Sequence, residues 1–85
     1  MKQFPAYPVI NIRESGRNIR RICREQGYTA NDLREYLYLA DERVVWRWWS
    51  GRSLPNLSNL CALSALLKVT VNEMLVFEDE KSAGS

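Results

Sequence analysis

Apolar and small residues recur along much of the chain at intervals of three and four, which is the period of an α-helix. The first stripe of this kind consists of Ile12, Ser15, Gly16, Ile19, Ile22 and Cys23. Asn11 is a suitable N-cap for it, and Gly27 can take the positive φ that ends a helix. The spacing therefore predicts helix 1 over residues 12–26.

A second, shorter stripe begins directly after Gly27. Thr29 and Asp32 form a variant of the capping box, in which two side chains satisfy the free amides at the start of a helix. The apolar positions that follow are Leu33, Tyr36 and Leu37. Helix 2 is therefore predicted over about 30–38.

Helix 3 is predicted from Glu42 to about Ser50, with Asp41 as its cap and Gly51 after its end. Its inward positions are Val45, Trp48 and Trp49, at i, i+3 and i+4. Its outward positions are Arg43, Trp46 and Arg47. This helix is therefore expected to expose long basic and aromatic side chains.

The last two helices have strong start signals. Pro55 and Asn56 open helix 4. Its apolar stripe, which we expect to be buried, consists of Leu57, Leu60, Cys61, Leu63, Ser64 and Leu67. Thr70 and Glu73 form a capping box before helix 5. The apolar residues of helix 5 are Val71, Met74, Leu75 and Phe77. Together the stripes predict an all-α fold, a compact five-helix bundle within residues 11–78.

The two ends of the chain have a different composition. Residues 1–10 contain Pro5 and Pro8, which predict an extended N-terminal arm. We expect its apolar residues to pack on the domain, and they are Phe4, Tyr7, Val9 and Ile10. Residues 79–85 are acidic and small, which predicts a flexible tail.

The composition of the 85 residues argues against catalysis and against a membrane location. No apolar run approaches the roughly 20 residues that span a bilayer, and the amino end lacks the apolar core of a signal peptide, so a cytoplasmic protein is predicted. The sequence holds no histidine, no cluster of metal ligands and no phosphate-binding glycine loop. We therefore predict a protein that is not an enzyme and uses no metal, cofactor or small-molecule substrate.

Cys23 and Cys61 stand apart from each other and from other ligand residues. A single disulfide between them is one alternative, but a chain without secretory features favours reduced thiols. Both cysteines lie on apolar stripes, so we expect two small buried residues.

Charge is distributed unevenly, although the net charge is only +2. Nine arginines and six acidic residues between positions 13 and 52 leave that region at +3, whereas residues 73–80 hold four acids and no base. This polarity is typical of a domain that offers one basic face to a polyanion, and it also fits an ordinary solvated surface. The arginines of helix 1 share that helix with Glu14 and Glu25, which favours a solvated face for them.

Helices 2 and 3, joined by a tight turn, have the arrangement of a helix-turn-helix. The major groove of B-DNA is about 12 Å wide and admits one α-helix. Arg43 and Arg47 lie one turn apart, where a guanidinium can grip guanine O6 and N7 or a phosphate. Trp46 between them either packs on a thymine methyl or lies on its own helix and shields Arg43. Glu42 either reads a cytosine amino group or only stabilises the helix N-terminus.

Two stretches of the chain resemble the Xre/Cro-type helix-turn-helix regulators of bacteria and phages, SGRNIRRICREQGYTANDL and VVWRWWSGRSLPNLSNLCALSALLKVTVNEML. In the second stretch the matching residues are Val45, Trp48, Trp49, Ser50, Gly51, Pro55, Leu60, Leu63, Leu67, Val69, Thr70, Asn72, Glu73, Met74 and Leu75. The resemblance covers residues 15–77 and implies a lambda-repressor-like fold.

The resemblance implies sequence-specific binding of double-stranded DNA, usually as a symmetric dimer. By position, it implies contacts from the recognition helix at Glu42, Arg43, Trp46 and Arg47, and places along the phosphate backbone for Asp41, Arg52 and Ser53. It also implies that backbone amides at the start of helix 2 point at a phosphate, those of Thr29, Ala30 and Asn31. Four residues depart from the family pattern, since Ala30, Tyr38, Trp49 and Lys68 stand where a glutamine, a turn glycine, a glutamate and a helix-ending glycine are frequent.

These features favour a DNA-binding transcriptional regulator that acts as a repressor, with a homodimer as one form of the protein. The alternative is a protein-interaction module on the same fold, such as an antitoxin or accessory factor with weak DNA affinity. Its apolar surface would come from Leu57, Leu66, Val71, Val76 and Phe77.

Overall fold

Each of the five predicted stripes forms a helix in the computed structural model, which describes residues 2–78. The helices are α1 (Ile12–Glu25), α2 (Ala30–Tyr36), α3 (Arg43–Trp49), α4 (Leu57–Leu67) and α5 (Val71–Met74). Within residues 2–78 the remaining regular structure is an isolated antiparallel bridge between Ile10 and Phe77. The predicted all-α class is therefore confirmed, and the ends of the first three helices differ from prediction by one or two residues. The assignment of Leu75 and Phe77 to helix 5 is wrong, because the backbone of Leu75 is already extended and Phe77 pairs with Ile10.

Four of the helices begin with the side-chain caps that the sequence predicts. Asn11 and Asn56 each accept a hydrogen bond from the amide of the third residue of the helix that follows, at 3.0 and 2.8 Å. Thr29 and Thr70 each form a complete capping box. These bonds satisfy amides that have no acceptor inside the helix, so the start of each helix is fixed locally.

Two residues other than glycine have a positive φ. Tyr38 follows α2 with a φ of 56°, and Lys68 ends α4 with a φ of 59°. Both stand where the regulators that the chain resembles carry glycine, and this backbone conformation costs an L-residue roughly 1–2 kcal/mol. The turn at Tyr38 explains why α2 ends at Tyr36 and not at residue 38 as predicted.

Helices α1 and α3 approach each other very closely because Gly16 lies at their contact. A Cβ atom on Gly16 would overlap the carbonyl oxygen of Trp48 and lie 2.9 Å from that of Trp49. The buried core around this contact consists of Ile19, Ile22, Cys23, Ala30, Leu33, Val45, Trp48, Trp49, Leu60, Leu63, Leu67 and Met74. The three inward positions predicted for α3 all belong to it.

Five residues assigned to apolar stripes are exposed, and the prediction of burial, which concerned the stripe of helix 4, is wrong for Leu57 and Cys61. The five residues are Ile12, Tyr36, Leu57, Cys61 and Phe77. The first three are terminal residues of their helices, where a helix end projects past its neighbours. Cys61 follows Leu60 and therefore lies about 100° further around α4, away from the buried side of that helix.

The two cysteines are free thiols in different surroundings, and no disulfide joins them. Cys23 lies in the core, where burial raises the pKa of its thiol to about 11. Cys61 is exposed. The expectation of two buried, reduced cysteines is therefore confirmed for Cys23 and wrong about the burial of Cys61.

The segment before α1 has no helix or strand over residues 2–9, and only its last residues pair with the bundle. Backbone hydrogen bonds of 2.7 Å join Val9 and Asn11 to the chain that follows α5. Phe4 and Tyr7 are 85% and 88% exposed, so the expectation that they pack on the domain is wrong. Pro8 has no amide with which to continue the pairing toward the amino end.

The predicted flexible tail at 79–85 lies outside the described residues. Among residues 2–78, no helix is long and apolar enough to cross a membrane. The same part of the chain contains no group of three or more His, Cys, Asp or Glu side chains that could hold a metal ion.

Replacement of Gly16 by alanine tests the close contact of α1 and α3. Because the added Cβ would meet backbone atoms, the two helices must separate, and we expect a loss of about 2–3 kcal/mol in the free energy of unfolding. Urea unfolding followed by circular dichroism measures it. The matched control is Gly27→Asn, since a Cβ at Gly27 meets no atom within 4 Å and asparagine tolerates its φ of 84°. Equal stabilities of the two variants would contradict the packing described.

The cysteines should differ strongly in reactivity toward a soluble disulfide reagent at pH 8. A pKa of about 11 leaves only about one Cys23 thiol in a thousand ionised, and burial blocks access to it. We therefore expect one fast-reacting thiol per chain, assigned to Cys61. The fast phase should disappear in Cys61→Ser, and two fast thiols in the native protein would show that Cys23 is accessible.

Candidate nucleic-acid interface

The outward side of α3 carries the side chains predicted for it. Arg43, Trp46 and Arg47 are exposed, whereas the opposite side of the helix is buried. An open groove of about 340 Å³ runs along this side, and we call it the α3 face. Its lining residues are Arg43, Trp46, Arg47, Ser50 and Arg52. Four of the predicted DNA-contacting residues thus come together, and within residues 2–78 no acidic side chain lines this groove.

Asp41 holds Arg43 through a local network of hydrogen bonds. One carboxylate oxygen accepts the backbone amide of Arg43 at 2.8 Å, and the other accepts its Nε and Nη2 at 2.9 and 2.7 Å. These bonds lower the pKa of Asp41, and the same carboxylate raises the pKa of Arg43. The N-cap of α3 is Glu42, so the prediction of Asp41 as the cap is wrong by one residue. Asp41 nevertheless accepts the first amide of the helix and also occupies one of its arginines.

Arg47 and Arg52 carry the uncompensated charge of the α3 face. Both are exposed. Within residues 2–78 neither has a carboxylate at ion-pair distance, in contrast to Arg43. An anion that approaches the α3 face therefore meets these two guanidinium groups without displacing a carboxylate.

Trp46 is held in place by a residue of another helix. Its ring packs edge-on against Trp49, with ring centroids 5.0 Å apart and planes at 84°. The guanidinium carbon of Arg20, on α1, lies 5.0 Å from the centre of the Trp46 ring and 5.6 Å from that of Trp49. These are cation–π distances. The arginine over Trp46 is therefore Arg20 and not Arg43, and 43% of Trp46 remains exposed to a ligand.

Trp49, which stands where a glutamate is frequent in the regulators that the chain resembles, belongs to the core. It is only 6% exposed. Its indole Nε1 and the Nε of Arg20 are buried, and neither has a hydrogen-bond partner among residues 2–78. The Trp49 ring is thus held in its position by packing and by the contact with Arg20, and its indole N–H contributes no hydrogen bond to residues 2–78.

Five arginines form a second basic surface along α1, which we call the α1 row. They are Arg13, Arg17, Arg20, Arg21 and Arg24. They line an open groove of about 720 Å³ that Glu25, Trp49 and Ser50 complete. Their spacing in the sequence places the five arginines on one side of a helix, so the sequence predicts the row. The glutamates on the same helix favour a solvated face, so the sequence contains no signal that these arginines bind a ligand.

The glutamates of α1 neutralise only part of this row. Arg17 pairs with Glu14 at 3.4 Å and Arg21 pairs with Glu25 at 2.9 Å, in agreement with the predicted solvated face. Within residues 2–78 no carboxylate pairs with the other three arginines of the row. Helix α1 holds five arginines and two glutamates, and it therefore presents a net charge of +3.

The predicted contacts at the start of α2 do not line the α3 face. The Thr29 amide donates to Asp32 within the capping box, at 2.8 Å. Ala30 is buried, and the side chain of Asn31 accepts a hydrogen bond from Arg34 at 2.9 Å. Because Asp32 already accepts the amide of Thr29, the prediction that amides at the start of α2 bind a phosphate now rests on the amides of Ala30 and Asn31.

Two further predicted positions also lie apart from the groove. Glu42 precedes α3 and is exposed, and its side chain makes no capping hydrogen bond. Ser53, in the loop between α3 and α4, is half-buried. Neither residue lines the groove, so their roles at a nucleic acid stay predictions.

The Asp41–Arg43 pair predicts a specific titration. In the native protein the carboxyl of Asp41 should titrate below its ordinary pKa, and Arg43→Gln should return it toward that value. The pair is thus intact at neutral pH and is lost as the pH falls through the lowered pKa of Asp41. Side-chain carboxyl NMR measures both states. Glu73 is the internal control, since hydrogen bonds from Thr70 lower its pKa and the substitution should leave it unchanged. Identical titration of Asp41 in both proteins would contradict the observed pair.

No protein-family model matches the sequence, and no curated protein matches it. Its fold is shared by solved structures, among them the following two. One is the restriction-modification controller protein C.AhdI from Aeromonas hydrophila, with a TM-score of 0.65, 21% identity, and coverage of 74% of this chain and 94% of that one. The other is the DNA-binding domain of BldD, with a TM-score of 0.64, 22% identity, and coverage of 78% and 94%. The chain therefore shares the all-helical fold of these two structures, in agreement with the fold class that its sequence predicts.

Proposed function

We propose that this protein is a sequence-specific regulator of transcription that inserts α3 into the major groove of double-stranded DNA and acts as a repressor. The observation that carries the proposal is the α3 face. On it, three arginines and a half-exposed tryptophan line one groove, without an acidic side chain among the described residues that line it. Shared fold with a restriction-modification controller and with a DNA-binding domain supports the same function.

The size and donors of the α3 face fit the major groove. The helix spans seven residues, Arg43–Trp49, and the groove of B-DNA is about 12 Å wide, which admits one helix. Arg47 has a planar guanidinium that can donate two hydrogen bonds to guanine O6 and N7. Arg52, after the helix, lines the same groove, and we assign it a phosphate contact through its planar guanidinium. Trp46 offers an apolar edge to a thymine methyl group.

Arg43 and Arg47 are expected to contribute unequally. Arg43 must leave Asp41, or share its guanidinium with it, before it can bind a base or a phosphate. Arg47 has no such competitor within residues 2–78. We therefore assign the main base contact to Arg47 and a conditional one to Arg43.

A second candidate function is a protein-interaction module on the same fold. The observation that favours it is Leu57, which is 74% exposed. Cys61 is exposed one helical turn further along α4. This surface also provides a place for a second copy of the chain, so that a homodimer could bind two halves of a symmetric site.

The experiment begins with a duplex selected from a random-sequence pool by the native protein. Fluorescence anisotropy then compares its affinity with that of a mixed-sequence duplex. Arg43→Ala combined with Arg47→Ala should lower affinity for the selected duplex at least about 30-fold, since each bidentate contact contributes about 1–3 kcal/mol. Circular dichroism verifies that the helices are retained.

Arg47→Lys is the matched control for charge. It keeps the positive charge but loses the planar fork, so it should retain the salt dependence of binding and lose preference for the selected duplex. If the double variant keeps that preference, α3 is not the reading helix, and the interaction module becomes the better account.

A further inference from the structure

We propose that the α1 row binds the phosphate backbone of the same duplex whose major groove receives α3. This inference rests on the proposed function, and it adds a second contact surface that comes from α1. The α1 row has the length to follow a strand, is continuous with the α3 face, carries uncompensated charge and contains Arg20 in a fixed position.

The row is long and straight enough to follow a nucleic-acid strand. At a rise of 1.5 Å per residue, Arg13 and Arg24 lie about 16 Å apart along the axis of α1. Successive phosphates of one strand advance about 3.4 Å along the axis of B-DNA, so a row of this length spans several of them. The groove of about 720 Å³ is open along the row, which suits a linear polyanion better than a compact anion.

The α1 row and the α3 face form one continuous surface. Ser50 lines both grooves. Trp46 lines the α3 groove and lies under Arg20 of the α1 row. A duplex that contacts Trp46 therefore meets charges of both helices without a break.

The charge of the row is available to a partner. Arg13 and Arg24, near its two ends, pair with no carboxylate in residues 2–78. Arg17 and Arg21 do have partners, but their side chains remain 70% and 56% exposed. Exposed ion pairs of this kind contribute little, so a phosphate can compete for these arginines.

Arg20 is already held in place before any anion arrives. Its guanidinium lies over Trp46 and Trp49, which restricts its rotation. Binding a phosphate therefore requires less loss of side-chain entropy from Arg20 than from a free arginine. The buried Nε that lacks an acceptor lowers stability, and a methionine at this position would avoid that loss while keeping an apolar contact. Compared with methionine, what arginine adds at position 20 is its positive charge.

The test removes charges at the two ends of the row, where folding should not be affected. Arg13→Gln, Arg24→Gln and their combination are compared with the native protein over a series of salt concentrations, on the selected and the mixed-sequence duplex. Each lost phosphate contact should reduce the slope of log affinity against log salt by about 0.9. Affinity for both duplexes should fall by the same factor, because phosphate contacts carry no sequence preference.

Lys68→Asn is the matched control, since it removes one positive charge outside both grooves. Asparagine tolerates the left-handed backbone at this position, so the variant should fold. Its salt slope should equal that of the native protein. If the Arg13 and Arg24 variants also leave the slope unchanged, the inference is overturned.

The remaining outcomes separate this inference from the proposed function. Normal duplex selection together with an unchanged slope in the α1 variants refutes only the role of the α1 row. Loss of preference between duplexes in those variants would mean that α1 reads bases, which contradicts a phosphate contact. Absence of binding by the native protein at low salt would overturn both.

Discussion

The molecule depends on a close backbone contact, where Gly16 of α1 meets the carbonyl oxygens at the end of α3. The absence of a side chain at this point allows the two helices to touch, and the contact fixes the rotation of α3 about its own axis. Val45 and Trp48 then face the core, and Arg47 has to face solvent. A glycine on one helix thus determines which side chains another helix presents.

Two of the three tryptophans of α3, Trp46 and Trp49, connect the core with the charged surface. Trp49 is buried, and Trp46 packs against it at the boundary with solvent. Arg20 lies over both rings, so an apolar cluster orients a positive charge. Helices α1 and α3 consequently share one basic surface as well as one apolar core. The packing of the two helices brings the α1 row beside the α3 face and the two apolar sides together.

The helices and their faces were predictable because local chemistry determines them. Capping residues such as Thr29 and Thr70 start helices wherever they occur, and the apolar period identifies the buried side of α3. Burial near helix ends was not predictable, because it depends on how far each helix projects past its neighbours, as at Leu57. The aromatic partners of Arg20 were also beyond local patterns. They depend on which side chains the packing of helices and turns brings within a few ångströms.

The pair between Asp41 and Arg43 gives the surface a property beyond charge. The carboxylate of Asp41 already accepts two hydrogen bonds from the side chain of Arg43, so it competes with any anion that approaches this arginine. An anion that only replaces these two bonds gains little from Arg43. An anion whose geometry suits the Arg43 guanidinium better than that of Asp41 gains the difference in free energy between the two sets of hydrogen bonds. The pair therefore acts as a threshold, which weakens indiscriminate binding more than it weakens binding to a well-matched site.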